Sequence, residues 1–181
     1  MKFKSLLLIM FTCFSLTASA GLLVEPYAGF GSLSTAADFV SGSNSSVSDE
    51  SSTASVIGGK LGYSFILLSA GLDYQIMMGD LDGDSATISN TSLFVGVDLP
   101  ILFRFWGKYI INSEFDYDVS SNLDISFKDG YALGLGFTGL PFVSLNLEYS
   151  LMNYEMEFGN NAKADYLVGA TVLSVSLPLD L

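Results

Sequence analysis

Asp80, Asp82 and Asp84 stand at alternate positions around Gly83, and three closely spaced carboxylates are the residue type that binds divalent cations through oxygen. A calcium loop of the EF-hand type also needs Gly at its sixth position and Glu at its twelfth. Counted from Asp80 these positions hold Ser85 and Thr91, so the triplet is a weak metal candidate. The run Gly134-Leu135-Gly136-Phe137-Thr138-Gly139 spells G-x-G-x-x-G, but a dinucleotide site needs a strand before the motif and a helix after it. Here the glycines alternate with apolar residues, and Leu140-Pro141 opens a turn. The chain has no histidine, which removes Ser-His nucleophilic catalysis, and none of its serines has an evident base. No enzyme activity and no cofactor are expected.

A second set of ionisable residues has a different pattern. Glu25, Lys60, Asp73, Asp98, Arg104, Lys108 and Glu148 each sit in a stretch where apolar side chains occupy the alternate positions. In a strand, alternate side chains point to opposite faces, so these charges collect on one face and the apolar residues on the other. Asp180 falls on the charged face as well. Glu25 and Lys60 are expected to pair across adjacent strands, and Arg104 and Glu148 across the interior. A plug of ion pairs is the structural expectation for such a set; a polar relay or gate is the functional alternative.

The elements that must position these residues are strands, because the apolar period is two. Leu173, Val175, Leu177, Leu179 and Leu181 alternate with Ser174, Ser176, Pro178 and Asp180. A helix would scatter these leucines around its circumference; a strand aligns them. The same alternation predicts eight strands over about 22–31, 54–64, 66–78, 87–99, 101–115, 130–138, 142–153 and 166–181. Tight turns follow the second, fourth and sixth at Ser64-Phe65, Leu99-Pro100-Ile101 and Gly139-Leu140-Pro141. Wider polar loops, about 32–53, 79–86, 116–129 and 154–165, follow the odd-numbered strands. The first is rich in serine and carries Asp38, Asp49 and Glu50 without a basic residue.

Short turns at one end and long polar loops at the other are the pattern of transmembrane barrels, with the turns periplasmic. An open sheet cannot cross lipid, since its edge N–H and C=O groups would find no partners, and closure removes the edges. The charged face must then be the interior. Outward-facing Lys or Arg near the midplane would cost roughly 2–4 kcal/mol each, and every basic residue within the eight predicted spans falls on the inner face. Eight strands leave a lumen just wide enough for side chains to fill. Aromatic residues are expected to ring the outer face, with Tyr63, Phe103, Phe105 and Phe137 toward the turns and Phe30, Tyr74, Phe115 and Tyr131 toward the loops.

Composition supports export. Lys2 and Lys4 precede an apolar run over 6–16, and Ala18-Ser19-Ala20 fits a signal-peptidase site, so residues 1–20 read as a cleaved signal peptide and 21–181 as one barrel domain. The apolar run is too short for a membrane-spanning helix, which needs roughly 20 residues. Cys13 lacks the small preceding residue of a lipoprotein site. Removing Lys2 and Lys4 from seven basic residues leaves five against nineteen acidic ones, a net charge of −14. Such acidity excludes nucleic-acid binding, which rests on Lys and Arg contacts to phosphate. No cysteine remains beyond position 20, so no disulfide framework forms.

Glu25-Pro26-Tyr27-Ala28-Gly29-Phe30, Ser144-Leu145-Asn146-Leu147-Glu148-Tyr149 and the alternating final strand together resemble the eight-stranded outer-membrane barrel superfamily of the OmpA transmembrane domain and OmpX. The family ends in Phe or Trp, this chain in Leu181. The resemblance covers essentially 21–181. It implies an all-β, antiparallel up-and-down transmembrane barrel, monomeric and embedded in outer-membrane lipid, that meets the barrel assembly machinery during insertion. It also implies a structural or surface-interaction role, with acidic loops open to divalent cations or surface ligands. A narrow transport pore is the alternative. A soluble lipocalin-like barrel with an apolar ligand inside would invert the two faces, and the lipocalin G-x-W is missing near position 21.

Overall fold

The computed structural model describes residues 20–38, 50–81, 84–117, 124–158 and 162–181. The expected signal peptide lies outside the described residues. The chain forms strands β1 (Ala20–Asp38), β2 (Glu50–Phe65), β3 (Leu68–Leu81), β4 (Asp84–Leu99), β5 (Phe103–Tyr117), β6 (Asp124–Phe137), β7 (Ser144–Phe158), β8 (Ala162–Ser176) and the two-residue β9 (Leu179–Asp180). Each strand from β1 to β7 pairs antiparallel with the next, and β8 pairs antiparallel with β1, closing an eight-stranded barrel. β9 is the continuation of β8 past Pro178. Tyr27 faces Ser176 and Val24 faces Leu179, an unbroken register, and Leu177 N–H donates to Pro26 C=O at 3.0 Å. Proline has no N–H to give the ladder, which accounts for the interruption. Leu181 and Leu22 then exchange two 3.0 Å backbone hydrogen bonds.

Several strands run beyond the spans read from apolar alternation. Ser32 to Thr35 pair with Thr53 to Glu50, in a stretch expected to be loop. Ladder hydrogen bonds join main chains and do not require apolar side chains, so pairing persists where the alternation has faded. Lys128, within β6, is accordingly a strand residue that points outward, with its Nζ 2.9 Å from Glu155 Oε2. The inward rule for basic residues thus holds only within the narrower spans first read.

Two β-bulges reverse the facing toward the loop end. Thr91 opposes Asn112 while Ser92 opposes Ile110, so Ile111 is the extra residue on β5. On β6 Lys128 is extra, between the Phe127–Tyr154 and Asp129–Asn153 pairs. An inserted residue shifts the period-two pattern by one and turns later side chains to the other face. Phe115, expected on the outer girdle, therefore points inward and packs edge-to-face on Tyr154 at 6.1 Å; Phe127 meets the same ring at 5.6 Å.

The interior is layered. Near the turns it holds charged and polar side chains; toward the loops it becomes an apolar core that includes Leu33, Val56, Met77, Ile88, Ile110, Met152 and Val168. The outer wall carries the opposite pattern, with large apolar side chains such as Leu61, Leu72, Val95, Leu133 and Leu173 exposed along the strands.

Candidate functional site

The inner face of the turn-proximal half brings six of the seven expected charged residues into two connected ion-pair groups. In the lower group, Glu25 on β1 accepts both guanidinium nitrogens of Arg104 on β5: Nη1 reaches Oε2 at 2.7 Å, and Nη2 bonds Oε1. Lys60 Nζ lies 3.8 Å from the same Glu25 Oε1. Arg104 Nη2 also donates to Asn146 Oδ1 at 2.8 Å and Ser176 Oγ at 3.1 Å, and Asn146 Nδ2 donates to Ser176 Oγ at 2.9 Å. The planar guanidinium suits this bidentate arrangement, which fixes orientation as well as charge.

In the upper group, Lys108 on β5 bridges two carboxylates. Its Nζ is 3.0 Å from Asp73 Oδ1 and 2.7 Å from Glu148 Oε2. Trp106 Nε1 donates to Glu148 Oε2 at 2.7 Å, and Tyr27 Oη donates to Asp73 at 3.1 Å. Gln75 Nε2 reaches Glu148 Oε1 at 3.4 Å. The two groups meet at Trp106, whose ring centroid is 4.2 Å from Lys60 Nζ and 5.2 Å from Arg104 Cζ. Glu25, Asp73 and Glu148 balance Lys60, Arg104 and Lys108, and all six are buried. Buried charges persist when they are paired, and each of the six has an opposite charge within 4 Å. Arg104 Nε is the one fully buried network atom left without a hydrogen-bond partner among the described residues.

Glycine spacing makes the arrangement possible. A Cβ at Gly134 would run into the Trp106 indole, and one at Gly58 would run into the Tyr27 ring. The bare backbone at these two positions seats the two aromatic side chains inside a narrow lumen.

The seventh residue, Asp98, is half-buried and faces Arg104 directly across the β4–β5 ladder. Glu25 and Lys60 are register partners on β1 and β2. The expected Arg104–Glu148 pairing is corrected. The row of register partners through Arg104 passes Gly136 and arrives at Asn146 on β7, whereas Glu148 lies in the row of Trp106 and Gly134. Arg104 therefore bonds Asn146 and Glu25, while Glu148 bonds Trp106 and Lys108. Tyr27, Gln75, Trp106 and Asn146 each lie two residues from a charged member of the network, so the same alternation puts them on the inner face. Their common signal was a hydrogen-bonding tip on that face, since a buried Trp or Tyr normally finds a partner for its polar atom.

Asp82 lies outside the described residues, as do the side chains of Asp80 and Asp84. Among the described residues no group of three or more His, Cys, Asp or Glu is arranged to hold a metal ion. The cavities beside the charged network are small. One lined by Glu25, Lys60, Asp98, Arg104 and Trp106 and one lined by Tyr27, Gln75, Trp106 and Glu148 each offer about 10 Å³, room for about one water molecule.

No protein-family model matches the chain, and no curated protein matches it. Among solved structures, it is similar to the outer membrane protein AlkL determined by solid-state NMR in DMPC bilayers, with TM-score 0.55, 12% identity, and coverage of 92% of this chain and 94% of that one. It is also similar to Neisserial surface protein A, with TM-score 0.54, 13% identity, and coverage of 87% and 96%. At these identities the likeness is one of fold, and in fold the chain, like these two proteins, is an eight-stranded, antiparallel, up-and-down β-barrel.

Proposed function

We propose that the chain is a membrane-embedded outer-membrane barrel with a sealed lumen, serving a structural or surface-interaction role rather than transport. The observation that carries this reading is the inverted distribution of polarity. Six paired charges are buried inside, while Leu133 and Leu173 on the outer wall are 71% and 63% exposed. Water would penalise such a wall and lipid would reward it, since each fully covered large apolar side chain is worth roughly 1.5–3 kcal/mol. A soluble ligand-binding barrel needs the reverse arrangement.

The lumen supports the sealed reading. The charge network crosses it near the turns, and an apolar layer built on Met77, Ile88, Met152 and Val168 fills it above. An ion entering from the turn end meets the ion-paired plug, and one entering from the loop end meets a layer of apolar side chains with the hydrogen-bonded Asn90, Ser113 and Tyr154. The absence of histidine from the chain supports a non-enzymatic role. Function then falls to the outer wall and the loop end, where Glu114 and Asp116 are exposed.

Two measurements test this. Outer-membrane fractionation with heat-modifiable gel migration should place the folded protein in the membrane, and a protein soluble without detergent would overturn the reading. Reconstituted in planar bilayers, the barrel should remain silent at moderate voltage; steady, salt-dependent single-channel steps would favour a narrow pore.

A further inference from the structure

The three turns at the tight-turn end have an unusual composition for segments that would face an aqueous periplasm. Ile66, Ile101, Leu102, Leu140 and Phe142 are all exposed there, Ile101 at 65% and Phe142 at 89%. Ile66, Leu102 and Phe142 hold left-handed backbone, with φ of 58°, 68° and 68°. Such φ values favour Gly, Asn or Asp, and a β-branched residue there is a conformational outlier. Bulky apolar residues stand where the backbone alone would favour small polar ones. No charged residue occurs between Lys60 and Asp73, between Asp98 and Arg104, or between Asp129 and Glu148, so each turn lies within an uncharged stretch.

The height of the outer wall gives this a reason. Barrel strands rise about 3.4 Å per residue and tilt about 40°, so each residue adds roughly 2.6 Å of height. An apolar band of about 25 Å therefore needs roughly ten residues per strand. On β6 the outward apolar side chains run from Tyr131 to Phe137, and on β4 from Leu93 to Leu99, with Thr91 next above. Six residue steps cover only about 16 Å, whereas on β3 the outward apolar side chains run the full ten steps from Leu68 to Met78. Tyr74, Tyr109, Tyr131 and Tyr149 stand exposed on the outer wall toward the loops, with the Tyr109 and Tyr131 rings 5.3 Å apart, Met78 and Ile111 lie exposed above two of them, and Tyr63 is exposed at the turn end. Interfacial tyrosines sit at headgroup level. Counting down ten residues from Tyr131 passes the end of β6 and reaches Pro141, inside the turn.

We infer that the three turns are not periplasmic loops in water but a lipid-contacting collar, immersed in the acyl region of the periplasmic leaflet and completing the hydrophobic thickness that β4 and β6 leave short. The collar is continuous with the outer wall: Phe65 leads into Ile66, Leu102 into Phe103, and Phe142 lies three residues before Leu145, all of them exposed. Its partner is therefore the same lipid that covers the wall.

This inference rests on the membrane-embedded reading above, and site-directed spin labelling separates the two. The sequence from Gly21 onward has no cysteine, so single variants Ile101→Cys, Leu140→Cys, Leu133→Cys and Glu114→Cys each carry one label. None of these sites has left-handed backbone. Each variant is reconstituted into vesicles of phosphatidylethanolamine and phosphatidylglycerol, and retained heat-modifiable migration verifies folding. Accessibility to oxygen, relative to a water-soluble nickel complex, is then read by electron paramagnetic resonance. Labels at 101 and 140 should show a ratio close to that at 133 and severalfold above that at 114. Labels at 101 and 140 matching 114, with 133 still in lipid, would overturn the collar alone; they would mean that the turns lie in water. A label at 133 matching 114 would overturn the membrane reading itself.

Discussion

The charge network makes a quantitative demand on Lys108 and Glu148. Replacing Glu148 by Gln removes one of the two carboxylates on Lys108, leaves Asp73 at 3.0 Å, and gives the buried set an excess positive charge. Replacing Lys108 by Met has the opposite effect and leaves Asp73 and Glu148 without their shared cation. Breaking a buried pair from one side costs roughly 3–5 kcal/mol because the remaining charge stays buried. The retained Asp73–Lys108 contact should hold Glu148→Gln near the lower end of that range, and Lys108→Met, which orphans two carboxylates, should fall near the upper end. The double variant restores neutrality, with Glu25 and Asp73 opposite Lys60 and Arg104. Its cost should therefore be smaller than the sum of the singles by about 2–3 kcal/mol, within the range of couplings measured for contacting residues. The chain supplies its own reporter. Trp106 is its single tryptophan and donates to Glu148, so urea unfolding in lipid vesicles can be followed by indole emission. Additivity of the two substitutions within about 0.5 kcal/mol would refute the coupled network.

Other expectations follow from packing. Gly134→Ala should destabilise the barrel by about 1–3 kcal/mol and shift Trp106 emission, because the new methyl meets the indole; Gly107→Ala, whose Cβ would meet only Leu133 Cδ2 at 3.8 Å, should be nearly neutral by the same urea midpoints. Ile88→Ala, in the buried apolar layer, should cost about 2–5 kcal/mol; an unchanged midpoint would argue that this layer is loosely packed. The β5 bulge predicts that a cysteine replacing Phe115 is protected from lipid-soluble quenchers while one replacing Ile111 is not, and equal quenching would mean that the two face the same side.

Strand content, the identity of the two faces and the placement of charge were legible in the sequence because each depends on a local rule. Period-two alternation is set by the pleat, so Leu173 to Leu181 declare a strand and an outer face without reference to the rest of the chain. The penalty for charge in hydrocarbon then assigns Glu25, Lys60, Arg104 and Lys108 to the interior. The absence of histidine likewise removed whole classes of chemistry from composition alone.

Partner choice within the lumen was decided only by tertiary structure. Whether Arg104 meets Glu148 or Glu25 depends on how the strands are staggered around the closed barrel, a quantity fixed by all eight registers together. The bulges at Ile111 and Lys128 were hidden for a related reason: an inserted residue is visible only against the strand opposite, and it turned Phe115 from the expected girdle into the core. The length of the strands beyond the apolar band was also out of reach, because main-chain pairing continues where the outward face has turned polar, as at Ser32 and Ser34 on β1. The sequence by itself thus determined that the chain is a barrel with its charges inside. The closed sheet decided which charges meet, where the lumen changes from polar to apolar, and how far the wall extends, because those depend on residues distant in sequence arriving at the same height.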